Sequence, residues 1–206
     1  MYRRYGKRTL DLIFAVLLVP ILFPIFLIVG VFIKLDDKGS ILYTAKRLGQ
    51  NGKKFKMYKF RSMKMNAPDL RNEDGSTFSS EDDPRLTNIG KILRKTSVDE
   101  LPQLINVLIG DMSFIGPRPD LPEQIVYYEK DEHARLSVLP GISGYNQAYF
   151  RNSTSWKQRI KNDVFYVENV SFFLDLKIVL KTIQSILFQK GIYSTNGDNK
   201  GVEKGA

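Results

Sequence analysis

Cysteine is absent from this 206-residue chain, and histidine occurs once, as His133. The absence of thiols excludes a disulfide framework, a thiol nucleophile and a thiolate metal site, and it fits a protein body that faces a reducing cytoplasm. A zinc site is also disfavoured, because one histidine without cysteine supplies too few of the ligands that zinc takes in proteins. His133 lies in a charged stretch, so we expect it to be solvated.

Acidic residues are scarce in the first third of the chain. Residues 1–65 contain 14 lysines and arginines but only three acidic side chains, whereas the whole chain has 31 basic and 22 acidic residues and a formal charge of +9. The remainder of the chain is therefore slightly acidic. A basic excess confined to one region predicts an anionic partner, such as lipid head groups, phosphates or nucleic acid.

Residues 12–33 contain no charge and no side chain that forms hydrogen bonds. The run is 22 residues long, and as a helix it would extend roughly 33 Å, enough to enter or cross a bilayer. It is longer than the apolar part of a typical signal peptide, and it lacks the polar stripe that a soluble core helix would show. The run therefore predicts attachment to a membrane.

Two features bear on how this run lies in the bilayer. Pro20 and Pro24 are near its middle, and each removes a helical hydrogen bond, so a bend or a break is expected. Both flanks are basic, with Lys7 and Arg8 among the charges that precede the run, and basic flanks favour the cytoplasmic side. A kinked spanning helix and a re-entrant helix that turns back are both compatible with these residues.

The rest of the sequence predicts a small body of mixed structure. Residues 41–48 and 53–60 predict a β-hairpin, because two strand-like runs flank an Asn51-Gly52 turn. Hydrophobic spacing predicts helices at about residues 86–95, 120–138 and 171–190. Residues 66–83 have the polar composition of a surface loop. The apolar face of the last helix fits either the body or the membrane interface.

An adjacent pair of carboxylates, Asp99 and Glu100, is the first candidate for chemistry. Ser97 and Glu100 have the spacing of a capping box, although Pro102 allows the helix to begin near Leu101 instead, and either start places the pair at a helix N-terminus. Ionised carboxylates there can act as a nucleophile or hold Mg²⁺. Ordinary helix caps use the same residues, so spacing alone leaves both interpretations open.

Basic residues are the second candidate. Arg118 stands between two prolines, which stiffen the loop and suit its guanidinium to bidentate phosphate contacts. A solvated arginine in a plain turn explains the same pattern. Lys59 and Arg61 end the hairpin, and Arg94 precedes the carboxylates. These charges fit an anionic substrate pocket and lipid head groups equally.

Several segments of the chain, taken in order, form a single pattern. They are Lys59 to Met63, Asp83 to Arg85, Asp99 to Leu108, Gly110 to Pro119, Pro140 to Gly144 and Leu174 to Leu176. The pattern resembles the bacterial sugar transferase family, in particular the minimal form of its monotopic phosphoglycosyl transferases, from the N-terminus to about residue 191. The resemblance implies an α+β fold that is mainly helical, with one β-hairpin, an N-terminal re-entrant membrane segment of the helix-break-helix type and interfacial amphipathic helices.

The same resemblance implies how the chain is divided. Residues 1–36 would form the membrane-anchoring helix, residues 37–190 the catalytic domain and residues 191–206 a polar tail. Pro24 and Pro20 would mark the break in the membrane helix, and Lys7 and Arg8 would hold it at the interface. The re-entrant form is then favoured over the spanning form.

A reaction is also implied by the resemblance. A sugar 1-phosphate moves from a UDP-sugar to undecaprenyl phosphate, UMP is released and Mg²⁺ is required, in the first membrane step of glycan assembly. Asp99 would be the nucleophile that forms a covalent phospho-aspartate in a ping-pong mechanism. Glu100 would ligate the metal, with Asp99 beside it.

Four basic residues would bind the phosphates of the substrates. The resemblance assigns this role to Arg118 and Arg94 and, less strongly, to Lys59 and Arg61. Physical reasoning agrees, because a carboxylate that attacks an anionic diphosphate meets like-charge repulsion that Mg²⁺ and guanidinium groups offset.

Residues 144–152 depart from the family pattern, which more usually has glycine-tryptophan-alanine-glutamine followed by asparagine-glycine-arginine. Gln147 and Arg151 in this segment are assigned to substrate binding, and Trp156 is expected close to the sugar or nucleotide. The departure leaves the sugar open among galactose, N-acetylgalactosamine, N-acetylglucosamine and bacillosamine-type donors.

The expected partners are the UDP-sugar, undecaprenyl phosphate and the lipid bilayer. Nucleic acid is not expected to bind, and self-association into a homo-oligomer is left open. The expected location is the cytoplasmic face of the bacterial inner membrane. Two rival interpretations remain. A basic membrane protein that recruits an acidic partner or nucleic acid would leave the carboxylate pair unexplained, and a membrane nucleotide-sugar hydrolase would use water in place of the lipid phosphate.

Overall fold

The computed structural model describes residues 1–71, 78, 80, 83–150, 153–187 and 202–203. The described part is mostly helical, as predicted, and has three two-stranded sheets. Its helices are α1 (Lys7–Asp37), α2 (Asn88–Thr96), α3 (Gln103–Ile109), α4 (Tyr145–Tyr149), α5 (Trp156–Glu168) and α6 (Phe172–Leu187). Its strands are β1 (Leu42–Leu48), β2 (Lys54–Phe60), β3 (Leu70–Arg71), β4 (Ser113–Ile115), β5 (Gly141–Ser143) and β6 (Val202–Glu203).

Helix α1 is long and apolar enough to cross a membrane by length and composition. One stripe of the helix packs on the body, with residues spaced three or four apart, as expected for one helical face. The stripe consists of Ala15, Leu18, Leu22, Phe26, Val29 and Ile33. Other faces of α1 are exposed, for example at Leu17, Phe23 and Val31. The helix therefore contributes one face to the protein core along its length, and most of its apolar surface is not covered by the described body.

Both ends of α1 are held by the body. Near the first end, the guanidinium of Arg8 donates a 2.6 Å hydrogen bond to the carbonyl of Val107, at the C-terminus of α3. At the other end, the amide of Ile89 in α2 donates to the carboxylate of Asp36 at 2.9 Å. The two ends of the apolar helix thus attach to the same body.

A polar cluster joins the start of the chain to the last helix. Lys7 forms a 2.6 Å ion pair with Asp175 of α6. The hydroxyls of Tyr2 and Tyr166 also donate to the Asp175 carboxylate, at 2.6 and 2.7 Å. Lys7, which was expected to lie at the membrane interface, therefore also joins the start of the chain to α6.

Helix α1 continues through the two prolines at which a bend or a break was predicted, and the re-entrant course stays a prediction. The backbone is helical without interruption from Lys7 to Asp37, and Pro20 and Pro24 both lie inside it. Each proline removes one backbone hydrogen bond, but the stripe of contacts with the body continues on both sides of the prolines and supports the helix across them.

The predicted hairpin is confirmed. Strands β1 and β2 pair antiparallel, with Leu42 opposite Phe60 and Leu48 opposite Lys54. The turn uses Asn51 at φ +56° and Gly52 at φ +74°, a left-handed pair of conformations that asparagine and glycine adopt readily.

Two predicted helices have different boundaries in the structure. The predicted capping box at Ser97 is wrong, because Ser97 adopts φ +59° and ends α2 without capping by its side chain. A turn of 3₁₀ helix, Val98–Glu100, follows, and α3 begins only at Gln103, after Pro102.

The single helix predicted at 120–138 is also wrong. The structure has two short 3₁₀ helices, Pro122–Tyr127 and Glu132–Ser137, with Tyr128 extended between them. The Tyr128 hydroxyl is bound into a buried cluster of charges, and this tertiary contact outweighs the helical periodicity.

Close backbone contacts fix the region after α3. Strands β4 and β5 pair in parallel, so that Ser113 is opposite Gly141 and Ile115 is opposite Ser143. A Cβ atom on Gly141 would lie 2.1 Å from the amide nitrogen of Gly116. Only glycine allows this approach, which holds the chain directly before the loop that contains Arg118.

Helix α6 presents an exposed apolar face. Its members are Phe172, Phe173, Leu176, Val179, Leu180 and Ile183. The opposite side packs on the body through Ile178, which is fully buried. Apart from a contact between the rings of Phe172 and Tyr2, this apolar face is largely exposed, and its predicted place at the membrane interface stays a prediction.

Candidate active site

Asp99 and Glu100 lie in the 3₁₀ turn between α2 and α3. Asp99 is buried, with 7% of its surface exposed. The hairpin lies alongside this turn, so that Lys59 near the end of β2 reaches both carboxylates. The two acids are therefore at the junction of three elements, as expected for a site and not for a simple surface cap.

Glu100 pairs with two cations. Its Oε1 atom accepts a 2.7 Å hydrogen bond from Lys59 Nζ and another 2.7 Å hydrogen bond from Arg118 Nη2. Burial alone would raise the pKa of Glu100, but Arg118 and Lys59 together hold it well below its usual range. Glu100 is therefore ionised and draws both cations to the site.

Asp99 has a different environment from its neighbour. Lys59 Nζ lies 3.8 Å from Asp99 Oδ2, and no residue in the described ranges donates a hydrogen bond to this carboxylate. Burial raises the pKa of Asp99, Glu100 raises it further, and Lys59 opposes the rise. The Asp99 carboxylate thus forms a long ion pair with Lys59 but accepts no hydrogen bond from a described residue.

Arg94 also belongs to this site. Its Nε atom donates to the hydroxyl of Ser62 at 3.1 Å, and its charge lowers the pKa of Asp99. Gly90 on the same helix lies so close to the strand end that a Cβ atom there would be 1.9 Å from the Ser62 carbonyl oxygen. This contact fixes the distance between α2 and the end of the hairpin.

Arg61 is not directed at the carboxylates. Its buried guanidinium packs against the backbone of Gly39, and its nearest acid is Asp37, with 3.4 Å between Arg61 Nη2 and Asp37 Oδ2. The structure thus joins Arg61 to the end of α1, whereas the predicted phosphate-binding residues Lys59, Arg94 and Arg118 surround Asp99.

The segment that departs from the family pattern is only partly described. Arg151 lies outside the described residues. Gln147 of α4 is half-buried, and both polar atoms of its amide are enclosed without a hydrogen-bond partner among the described residues. A buried amide that makes no hydrogen bond is costly, which marks Gln147 as a candidate for ligand contact.

Trp156 lies at the start of α5 and is held in a cluster that sequence reasoning missed. Its indole N–H donates to Asp120 at 3.1 Å. We define the Arg135 cluster as Asp120, Tyr128, Arg135, Trp156 and Asp163. The position of Asp120 directly after the Pro-Arg-Pro motif was the one local signal for it, because its partners lie far along the chain.

The carboxylates fit a magnesium ion by their chemistry. Mg²⁺ binds oxygen ligands and is commonly held in enzymes by one or two carboxylates together with substrate phosphates. Asp99 and Glu100 supply two such carboxylates. Within the described ranges no group of three or more metal-ligating side chains exists, so phosphate or water oxygens would have to complete the coordination.

This arrangement suits chemistry at phosphorus. A buried carboxylate, a second carboxylate beside it and several cations are the groups that phosphoryl transfer requires, here on a protein with an apolar N-terminal helix. Residues 2–189 match the model of the family described as bacterial sugar transferase. The chain belongs to this family and is a transferase.

Curated relatives agree with this assignment. The chain is 41% identical to the uncharacterized sugar transferase EpsL of Bacillus subtilis, over 92% of this chain and 91% of that protein. It is 39% identical to the exopolysaccharide production protein ExoY of Sinorhizobium fredii, over 91% and 88%. It is also 38% identical to the undecaprenyl-phosphate galactose phosphotransferase of Salmonella typhimurium, over 92% of this chain but 42% of that longer protein.

Proposed function

We propose that this protein transfers a sugar 1-phosphate from a UDP-sugar to undecaprenyl phosphate and releases UMP. The observation that supports this function best is the unequal pairing of the two carboxylates, in which Glu100 binds Lys59 and Arg118 while Asp99 stays available. The donor and acceptor are inferred from the names of relatives such as the phosphotransferases of Salmonella typhimurium and Aeromonas hydrophila.

In the first step, an oxygen of the Asp99 carboxylate attacks the phosphorus that carries the sugar. A bond forms between this oxygen and phosphorus, and the bond from phosphorus to the bridging oxygen of the diphosphate breaks. UMP leaves with that oxygen, and the sugar phosphate remains on Asp99 as an acyl phosphate. Burial favours this step, because a desolvated carboxylate is a stronger nucleophile than a hydrated one.

In the second step, a phosphate oxygen of the lipid attacks the same phosphorus. The bond to Asp99 breaks, the carboxylate is regenerated and the product is undecaprenyl diphosphate sugar. The two half-reactions give ping-pong kinetics. This product would begin the assembly of a capsule, exopolysaccharide, O-antigen or glycoprotein glycan.

Mg²⁺, held by Glu100 and Asp99, would reduce the charge on the diphosphate and stabilise the leaving UMP. Lys59 and Arg118 would exchange their pairing with Glu100 for pairing with donor phosphates. Arg94 would support the same phosphates from α2.

Gln147 and Arg151 would contact the sugar or nucleotide side of the donor. The enclosed and unpaired amide of Gln147 supports this placement. Arg61 lies beside Asp37 at the end of α1. No nitrogen of its guanidinium has a hydrogen-bond partner among the described residues, so its role as a ligand of the donor phosphates stays a prediction.

We infer a monotopic attachment on the cytoplasmic face of the bacterial inner membrane. Because Arg8 and Asp36, near opposite ends of α1, both bind the body, the helix would enter the bilayer with its two ends on the same side. The exposed apolar face of α6 would lie in the interface. Such a placement would bring the site to the depth of the lipid phosphate.

The proposed reaction is tested with membrane-bound protein, labelled UDP-sugars, Mg²⁺ and undecaprenyl phosphate. We expect UMP in the aqueous phase and label in the lipid phase in equal amounts for one donor. UMP release together with free sugar phosphate, independent of the lipid, would instead indicate a nucleotide-sugar hydrolase. Absence of lipid label with every donor in the set would overturn the transferase assignment.

The attachment is tested with accessible tags at Met1 and Ala206. We expect both tags to react with an impermeant reagent from the cytoplasmic side of oriented vesicles. Reaction of the two tags from opposite sides would show that α1 spans the bilayer.

A further inference from the structure

The loop that contains Arg118 is attached to the Arg135 cluster. Arg135 Nη1 binds the Asp120 carboxylate and the hydroxyl of Tyr128, and Nη2 binds the Asp163 carboxylate at 2.6 Å. The Tyr128 hydroxyl also donates to Asp120 at 2.8 Å. Most of the guanidinium fork is therefore engaged in one buried network.

The cluster is largely buried and contains two carboxylates for one guanidinium. Arg135 has 4% of its surface exposed and Asp163 has 2%. Two carboxylates compensate the charge of the guanidinium, whose pKa is raised by Asp120 and Asp163 against the effect of burial. Removal of Arg135 would leave these two carboxylates without their cation, so the guanidinium holds the arrangement together.

Arg135 also holds the backbone at Arg118. Its Nη2 atom donates a 2.9 Å hydrogen bond to the Arg118 carbonyl. From the hairpin side, the amide of Leu48 donates to the carbonyl of Asp120 at 2.9 Å. The loop is thus held at two carbonyls, those of Arg118 and Asp120, by different elements.

The side chain of Arg118 does not have equal support. Nearly half of it is exposed, at 48%, and its recorded side-chain contact is with Glu100. A long and half-exposed side chain is placed mainly by its backbone. The position of this guanidinium therefore depends on the loop, and the loop depends on Arg135.

We propose that Arg135 is a positioning residue for the transfer reaction. It acts through the Arg118 carbonyl to hold the Arg118 guanidinium where the donor diphosphate binds. This inference rests on the proposed function for its kinetic readout. The planar fork is essential, because a lysine has one nitrogen and cannot bind Asp120, Asp163 and the carbonyl together in this geometry.

A double-mutant cycle tests the proposal. Arg135→Lys should raise the KM for the UDP-sugar about tenfold, with kcat changed less, because donor binding loses a preorganised cation. In the Arg118→Ala background, the same substitution should change KM less than about twofold, since the two residues act through one contact.

Tyr2→Phe is the matched control, because it removes a hydroxyl that donates to Asp175 of α6 and not to the loop. Its effects should multiply with those of Arg118→Ala. If Arg135→Lys also gave multiplying effects, Arg135 would have a general structural role and the proposal would be overturned.

Amide hydrogen exchange gives a readout without activity. In membrane-reconstituted protein, Arg135→Lys should accelerate exchange at the amide of Leu48, which is bonded to the loop, while Tyr2→Phe should not. Unchanged exchange at Leu48 would overturn the proposal. A wild-type protein without transfer activity would refute the proposed function, and the exchange experiment would still decide whether Arg135 holds the loop.

Discussion

Two clusters of charged residues lie next to each other in this protein, and their carboxylates differ in the hydrogen bonds that they accept. In the Arg135 cluster, Asp120 and Asp163 each accept hydrogen bonds from the buried guanidinium. At the candidate site, the cations bind Glu100 and leave Asp99 without a hydrogen bond from any described residue. Arg118 belongs to both, since its side chain binds Glu100 and its carbonyl binds Arg135.

This difference in hydrogen bonding distinguishes carboxylates that stabilise the fold from a carboxylate that can react. A carboxylate with buried donors is a poor nucleophile and a good structural link, whereas a buried carboxylate without donors costs stability and keeps its lone pairs available. The comparison predicts which acids can be replaced at the expense of activity and which at the expense of folding.

Replacement of the open carboxylate should have the largest effect. Asp99→Asn should reduce transfer by at least about a thousandfold and remove the covalent adduct trapped with labelled donor, because an amide cannot form the acyl phosphate. Its thermal midpoint should change little, because Lys59 keeps its shorter ion pair with Glu100. The exposed acid Asp131 is the control, and Asp131→Asn should keep wild-type transfer. Retention of more than a few per cent of activity by Asp99→Asn would refute its role as nucleophile.

Replacement of Gly90, which lies in close contact with the backbone of Ser62, should have the next largest effect. Gly90→Ala would place a Cβ atom 1.9 Å from the Ser62 carbonyl, so we expect a loss of about 1–3 kcal/mol in the free energy of unfolding. The donor KM should rise as well, because Arg94 moves with α2. Chemical denaturation and UMP release measure the two effects. Gly30→Ala, whose Cβ meets only the side chain of Ile41, should be tolerated, and equal losses in both variants would contradict this account.

The charge balance around Asp99 predicts a pH effect. Lys59 lowers the pKa of Asp99 against the effect of burial, so Lys59→Met should raise this pKa. The acidic limb of the pH profile of kcat/KM for UMP release should then move to higher pH, because the nucleophile must be ionised. Lys56→Met on the exposed side of the same strand should leave the limb in place. A shift of the limb to lower pH in Lys59→Met would show that another group controls it.

The smallest expected effect concerns Asp163 in the Arg135 cluster. Burial raises the pKa of Asp163 to about 6, despite Arg135, whereas an unfolded aspartate has a pKa of about 3.9. The folded state therefore binds the proton more tightly, and this contribution to stability is full below about pH 4 and is lost as the pH rises to about 6.

The stability difference between wild type and Asp163→Asn should accordingly shrink by up to about 2 kcal/mol over this pH range. Denaturant unfolding at a series of pH values from 4.5 to 7 measures it. A difference that is independent of pH would show that Asp163 is fully ionised in the fold.

Local patterns predicted the parts of this fold that depend on local chemistry. The Asn51-Gly52 turn specifies its hairpin, and the periodicity of residues 86–95 specifies α2, which begins two residues later because Thr87 caps it through a hydrogen bond from the Gly90 amide. Asp99 and Glu100 were recognisable from their motif. These features require few contacts beyond their own neighbours.

Long-range pairing could not be predicted from the sequence. Lys59 and Arg61 are two residues apart and both basic, yet one binds Glu100 and the other packs at Gly39, where the absence of a side chain leaves room for the guanidinium. Arg135 lies in the segment predicted as one helix at 120–138, and its burial depends on partners up to 28 residues away. The partner of each basic residue is determined by packing and charge compensation between distant parts of the chain.

The stripe on α1 has a practical consequence for attempts to prepare this protein. Ala15 is fully buried against Val107 and Met112, so the apolar helix supplies one wall of the core. A truncated form that begins after Asp37 would expose that wall and would be expected to aggregate rather than yield a soluble enzyme. Extraction should instead keep the whole chain and replace the bilayer with a detergent or lipid disc that covers the outer faces of the helix.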